Sequence, residues 1–180
     1  MKFLVMSDNH GNESTVNKLV HKFKGQVDYL FHCGDSEFTT NHTIWREFDA
    51  VVAGNMDFHA GYENIQIVDT PVGKVILTHG HIQNVNRSNL GLYELAKDNQ
   101  ASFLFHGHTH RLYAEYKDRI LMVNPGSLSQ SRGEYSGRTF AIVVINENSY
   151  RVDYYNQDGN YIQELSQYFT LDGDENIDQP

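Results

Sequence analysis

The sequence has a single cysteine, Cys33, so no internal disulfide can form, which fits a reducing cytosol. No apolar run approaches the ~18–20 residues needed to span a bilayer. The N-terminus, Met1 to Asp8, turns polar too soon for a secretory signal. These absences predict a cytoplasmic protein with no membrane partner. Positive charge is also scarce: 14 Lys and Arg against 23 Asp and Glu leave a net charge of −9. That opposes nonspecific adhesion to nucleic acid, where many cations must neutralise phosphates. It does not oppose a small anionic substrate, because a bound metal reverses the field locally. No repeat or linker divides the chain. The expectation is one domain over residues 1–169, then an acidic, frayed tail over 170–180 carrying Asp172, Asp174, Glu175 and Asp178.

What the chain does contain is a series of short apolar runs that stop at glycine. Lys2 to Met6, Val27 to Cys33 and Ala50 to Ala53 read as buried strands. Between the first two, Val16, Leu19, Val20 and Phe23 have helical spacing, with Asn12 or Ser14 as cap and Gly25 as stop. A short helix is expected around Ile44, Trp45 and Phe48. Asn64 to Asp69 and Lys74 to Thr78 flank the turn Thr70-Pro71-Val72-Gly73 as a hairpin. A helix through Leu90, Leu92, Leu95 and Ala96 precedes the strand at Ser102 to Phe105. Leu112 to Tyr116 and Ile120 to Val123 form another hairpin, and Thr139 to Ile145, Tyr150 to Tyr155 and Tyr161 to Leu165 are β-prone. Strand–helix units followed by hairpins predict an α/β fold of two packed sheets with helices outside.

Five of these strand ends carry ligand-type side chains beside glycine: Asp8 and His10, Asp35, Asn55 and Asp57, His79 and His81, His108 and His110. In extended backbone, residues two apart point the same way, so each pair can converge on one spot. If the strands share a direction, their ends gather along one edge. Carboxylate, imidazole and amide ligands suit Mn²⁺, Fe²⁺, Co²⁺ or Zn²⁺ rather than a thiolate site. The set is too large for one tetrahedral ion and about enough for two with a shared carboxylate.

These blocks, Asp8-x-His10, Gly34-Asp35, Gly54-Asn55-x-Asp57, His79 and Gly107-His108-x-His110, resemble the calcineurin-like metallophosphoesterases, in family order and over most of the chain. The size and the Gly-Asn-x-Asp block are similar to the small bacterial and archaeal phosphodiesterases of the YfcE and MJ0936 type. The resemblance implies a four-layer αββα sandwich of two mixed β-sheets flanked by helices. It implies two divalent ions: Asp8, His10, Asp35 and His110 on the first, and Asp35, Asn55, His79 and His108 on the second, with Asp35 bridging. Mn²⁺ is the first expectation, with Fe, Ni, Co or Zn as alternatives. The implied activity is phosphodiester hydrolysis of a small phosphate ester by a hydroxide shared between the ions, with Asn55, Asp57 and His79 as the residues in contact with the chemistry. Four positive charges against Asp8, Asp35 and the hydroxide leave the cluster near plus one, which attracts phosphate within an acidic protein.

Asp57 departs from the wider family, where histidine at this position is the presumed leaving-group acid. An ordinary carboxyl (pKa ~4) is ionised near neutrality and donates poorly, which favours diester monoanions over monoester dianions. Alternatively Asp57 only orients a ligand histidine. His81 is either a proton donor at the mouth or a solvated loop residue. His32, His59 and His106 read as non-ligands, Cys33 as a buried small apolar residue, and Arg132 as a surface arginine, with phosphate contact as its other reading. The loop Asn124-Pro125-Gly126-Ser127 resembles one that borders the family's site. Two other functions stay open: a phosphomonoesterase on the same site, and a non-catalytic, partner-binding scaffold like the retromer subunit Vps29. The oligomeric state is open, a dimer included.

Overall fold

The computed structural model describes residues 1–171. Two mixed β-sheets pack face to face with one helix on each outer face. The first sheet contains β1 (Lys2–Met6), β2 (Tyr29–His32), β3 (Ala50–Val51), β9 (Thr139–Ile145), β10 (Ser149–Asn156) and β11 (Gln167–Thr170), in the order β11-β10-β9-β1-β2-β3. The second contains β4 (Ile65–Thr70), β5 (Gly73–Thr78), β6 (Phe103–Phe105), β7 (Tyr113–Lys117) and β8 (Ile120–Asn124), in the order β4-β5-β6-β8-β7. Within the first sheet β1, β2 and β3 are parallel; within the second β5, β6 and β8 are parallel. The remaining pairings are antiparallel.

Strand alternation sets the layers. Phe3 and Val5 of β1 point between the sheets, where they meet Phe31, Phe103 and Phe105. The Phe3 and Phe103 rings cross edge-to-face at 5.5 Å and 87°. Leu4 and Met6 point the other way, under α1 (Glu13–Phe23), against Val16, Leu19, Val20 and Phe23. On the second sheet Ile76, Leu104 and Met122 turn outward under α2 (Leu90–Asp98), against Leu92 and Ala96. Central strands buried on both faces read as continuous apolar runs for this reason. Asn12 caps α1, accepting from the Thr15 N–H at 3.2 Å.

Three element expectations need correction. The third strand is two residues long: the Val52 N–H makes the last bond to β2, at the His32 carbonyl, and the Ala53 N–H then turns to the Glu63 carbonyl. The expected helix near Ile44 is a 3₁₀ turn, Thr43–Glu47, started by the His42 side chain. The final strand is Gln167–Thr170 instead of 161–165. Tyr161 makes only an isolated bridge to Tyr155, and a 3₁₀ turn at Gln163–Leu165 carries the chain back onto β10. Alternation in β11 is partly masked by its polar residues, although Phe169 packs against the inter-sheet core. Thr170, expected in the tail, closes this strand, and the tail from residue 172 onward lies outside the described residues. Among the described residues no helix is long and apolar enough to cross a membrane.

Removing one ring from the inter-sheet core tests its weight. Phe105→Ala is expected to destabilise the protein by about 3–5 kcal/mol in urea unfolding, the range for a buried phenylalanine; a loss below about 1 kcal/mol would contradict this packing.

Candidate metal centre

The C-terminal ends of β1, β2 and β3 in one sheet and of β5 and β6 in the other open onto a common edge. Here the chain does not remain extended. Asp8, His10, Asp35, His108 and His110 all have left-handed backbone, with φ between 43° and 69°. The expectation that strand alternation aligns each pair is therefore corrected: the side chains converge because the backbone turns sharply after each strand. Left-handed conformations at non-glycine residues cost about 1–3 kcal/mol each and persist only where the surroundings fix them. Cross-bracing supplies that fixation. The Asp8 N–H binds the Gly34 carbonyl at 3.0 Å, the His10 N–H the Asp35 carbonyl at 3.1 Å, and the Gly107 N–H the His79 carbonyl at 3.1 Å. Ser127, in the loop after β8, donates its hydroxyl to the Asp8 carbonyl at 3.0 Å.

Two glycines allow the approach itself. A Cβ on Gly54 would lie 2.0 Å from Asp35 Oδ1, and one on Gly107 would lie 1.9 Å from Ser7 Oγ and 2.5 Å from Asp8 Oδ2.

Asp8, His10, Asp35 and His110 each bring one ligand atom to within 4.8 Å of the others. His110 Nε2 lies 3.0 Å from Asp8 Oδ1, and His10 Nε2 lies 3.4 Å from His110 Nε2 and 3.8 Å from Asp35 Oδ2. His79 approaches from the other side, with Nε2 3.3 Å from Asp35 Oδ2 and 3.9 Å from Asp8 Oδ1. Three of these rings are oriented from behind. His79 Nδ1 donates to the Cys33 carbonyl at 2.7 Å, His110 Nδ1 to the Gln130 carbonyl at 2.8 Å, and His10 Nδ1 to Glu37 Oε1 at 2.7 Å. A proton held on the outer nitrogen leaves the Nε2 lone pair facing the carboxylates.

That arrangement is short of positive charge. Asp8 Oδ1 and His79 Nε2 are buried yet receive no hydrogen bond of acceptable geometry, despite their neighbours. Buried polar atoms without partners are costly, and converging lone pairs more so. A divalent cation removes the conflict, and the oxygen and nitrogen donors fit one. Burial tends to raise the Asp35 pKa, but the close approach and positive potential of His79, the Met56 N–H at 2.7 Å and His10 together hold it at about 2. Burial likewise works against the Asp8 charge, and His110 and His79 outweigh it, so its pKa is also lowered.

The other expected residues lie around this core. The His108 ring packs against His79, with centroids 5.1 Å apart, and its Nε2 accepts from the Asn86 amide at 2.9 Å. Thus His108 and His110 serve opposite sides of the cluster instead of one spot. Asn55 is exposed on the loop after β3, next to Met56. Asp57 accepts from three donors: Ser36 Oγ at 3.0 Å, the Glu37 N–H at 2.7 Å and the Gly54 N–H at 2.8 Å. It ties together the loops carrying Asp35 and Asn55. His81 is half-buried, its ring 5.4 Å from that of His79. His32 and His106 are buried, and burial lowers both to a pKa of about 4. His32 is fixed by Asn9 Oδ1 at 2.8 Å and the Gly34 N–H at 3.2 Å. Reading the sequence missed Glu37, Asn86 and Gln130. Glu37 had a signal, since it stands two residues after Asp35. The other two depend on how distant loops fold.

The family model of the calcineurin-like phosphoesterase superfamily domain matches residues 1–148. The chain belongs to this superfamily. It is 32% identical over 171 residues to the probable metallophosphoesterase YsnB of Bacillus subtilis, covering 95% of this chain and all of that one. It is 29% identical over 149 residues to the phosphodiesterase MJ0936 of Methanocaldococcus jannaschii, covering 70% and 83%. A predicted phosphoesterase of Streptococcus pneumoniae TIGR4 has a similar structure, with a TM-score of 0.90 at 36% identity over 94% of this chain and 97% of that one. Vps29 of Cryptosporidium parvum shares the fold at a TM-score of 0.73 and 18% identity, over 94% and 97%. The protein is thus a metal-binding phosphoesterase of the calcineurin-like type.

The two buried neutral histidines predict acid sensitivity. In the unfolded chain His32 and His106 take up protons near pH 6.5, whereas in the folded protein they resist until about pH 4. The unfolded state then binds more protons, so stability falls as pH drops through this window, by about 2 kcal/mol per ring between pH 7 and 5. Urea unfolding of the metal-free protein and of its His106→Gln variant at the two pH values measures it, and a pH dependence unchanged by the substitution would contradict the buried neutral state.

Proposed function

We propose that this protein is a dinuclear phosphodiesterase in which Asp35 bridges two divalent ions. The observation that carries the reading is the position of Asp35 Oδ2, approached by His10 at 3.8 Å from one side and by His79 at 3.3 Å from the other. Asp8, His10, Asp35 and His110 would hold one ion, and Asp35, Asn55, His79 and His108 the other. Such a pair, when bound, acidifies water and withdraws charge from the phosphoryl oxygens. Mn²⁺ is the proposed metal.

The remaining chemistry falls to the chain. Glu37, Cys33 and Gln130 hold the imidazole protons outward, so the inner nitrogens stay basic. Asn55, exposed at the rim, can turn its amide oxygen inward and its NH₂ toward a phosphate oxygen. Asp57 serves as a positioning residue, because both its oxygens accept hydrogen bonds from the two neighbouring loops. With no histidine at position 57, leaving-group protonation is weak, which favours diester monoanions with good leaving groups. The 29% identity to MJ0936, named a phosphodiesterase, supports the same choice. The scaffold reading draws on the Vps29 fold, but competent ligand side chains at all seven positions favour the enzyme.

Hydrolysis of bis-p-nitrophenyl phosphate with Mn²⁺ and with EDTA tests the proposal. Activity is expected only with metal, at least about 100-fold lower in Asp35→Asn and His108→Ala, and faster than on p-nitrophenyl phosphate. Metal-independent turnover or active variants would overturn the dinuclear reading, and a preferred monoester would overturn diester selectivity.

A further inference from the structure

Beside the metal centre lies a cleft of about 390 Å³, lined among others by Asn86, Asn89, Thr109, Arg111, Tyr113 and Arg132. It opens directly off the ligand loop. Asn86 touches His108, Thr109 sits between His108 and His110, and Arg111 follows His110. The volume is enough for a group of nucleoside size. Arg111 and Arg132 also border a second cavity of about 580 Å³, which extends the depression past Glu134 and Tyr135. Arg111 and Arg132, both exposed, line both cavities.

Both arginines are fastened to the metal ligands. The Arg132 N–H binds the His110 carbonyl at 3.0 Å, and Arg111 Nε donates to the Arg132 carbonyl at 3.0 Å. Neither guanidinium has a carboxylate within ion-pair distance among the described residues, in a chain of net charge −9. Glu115 accepts the Tyr113 hydroxyl at 2.7 Å, and Glu134 lines only the outer cavity. Lys18 pairs with Asp158, Lys24 with Glu47 and Arg151 with Asp153, whereas Lys22 and Arg138, like Arg111, bond neutral oxygens. Arg111 and Arg132 are exposed neighbours joined by the Nε–carbonyl bond and neutralised by no carboxylate, and the planar fork of a guanidinium matches phosphate oxygens.

We propose that this cleft binds the organic part of the substrate and that Arg111 and Arg132 take a second, terminal phosphate on it. The substrate class is then a phosphodiester whose leaving or retained group carries a further phosphomonoester. A terminal phosphate offers three oxygens and nearly two charges, which suits a guanidinium pair better than a single carboxylate does. The assignment rests on the phosphodiesterase reading for its substrate, but the anion site itself does not need turnover.

Two measurements separate these layers. The first is calorimetric titration of the Mn²⁺-supplemented protein with thymidine 3′,5′-bisphosphate and with thymidine 5′-monophosphate. The bisphosphate is expected to bind about tenfold more tightly or better, and the advantage should vanish in Arg111→Ala and in Arg132→Ala. Arg132→Ala removes only the side chain and keeps the backbone bond to His110, so loss there cannot come from a collapsed ligand loop. The second compares hydrolysis of thymidine 5′-(p-nitrophenyl phosphate) with that of its 3′-phosphorylated form. The ratio of kcat/KM should favour the 3′-phosphorylated ester in the wild type and fall about tenfold in each variant. Equal binding of the two nucleotides, or a ratio untouched by both substitutions, would overturn the anion site. Preferred binding of the bisphosphate without hydrolysis of either ester would retain the site and sink the phosphodiesterase reading.

Discussion

Two buried carboxylates facing imidazole lone pairs form an arrangement that repels itself. The rest of the molecule is organised to tolerate it. Asp8 and Asp35 are almost entirely buried, yet their inner oxygens look at nitrogens whose protons are held on the far side of each ring. Protonating His79 would relieve part of the strain, and its pKa is in fact raised, since its carboxylate partners outweigh the burial that would lower it. A proton is still a poor substitute for a divalent ion, because it serves one donor pair at a time.

Holding that geometry requires rigidity from distant parts of the chain. The ligand loops come from two sheets, and the aromatic layer of Phe3, Phe31, Phe103 and Phe105 locks those sheets together directly behind the site. Backbone bonds then cross between loops, from Asp8 to Gly34 and from Gly107 to His79. Asp8, His10, Asp35, His108 and His110 keep left-handed conformations because such bonds, and the His108 N–H on Asp8 Oδ2, fix the loops. Strain and packing are thus two sides of one device: the core fixes the loops, and the loops aim the donors.

Much of this was legible in the sequence because the signals were local. Continuous apolar runs such as Phe3-Leu4-Val5-Met6 mark a strand buried on both faces, and Gly34, Gly54 and Gly107 mark where it must stop. The candidate ligands sit beside those glycines, and four of them, Asp8, His10, Asp35 and His110, meet in one cluster. Less was visible where the outcome depends on nonlocal contacts. The left-handed turns at Asp8 and His110 override the simple alternation of extended backbone. Strand β11 is recognisable mainly through its pairing with β10, since Gln167 and Thr170 carry little apolar signal. Glu37, Asn86 and the Arg111–Arg132 pair gain their meaning from loops that meet only after folding. Asp57 is the instructive case: its type is plain in the sequence, while its three hydrogen-bond donors are not.

The bridging position of Asp35 is tested most directly by metal stoichiometry and low-temperature electron paramagnetic resonance of the protein loaded with Mn²⁺. A shared carboxylate between neighbouring ions predicts two Mn²⁺ per chain with the multi-line spectrum of an exchange-coupled pair. A single bound ion, or two ions giving only the signal of isolated Mn²⁺, would contradict a bridge at Asp35.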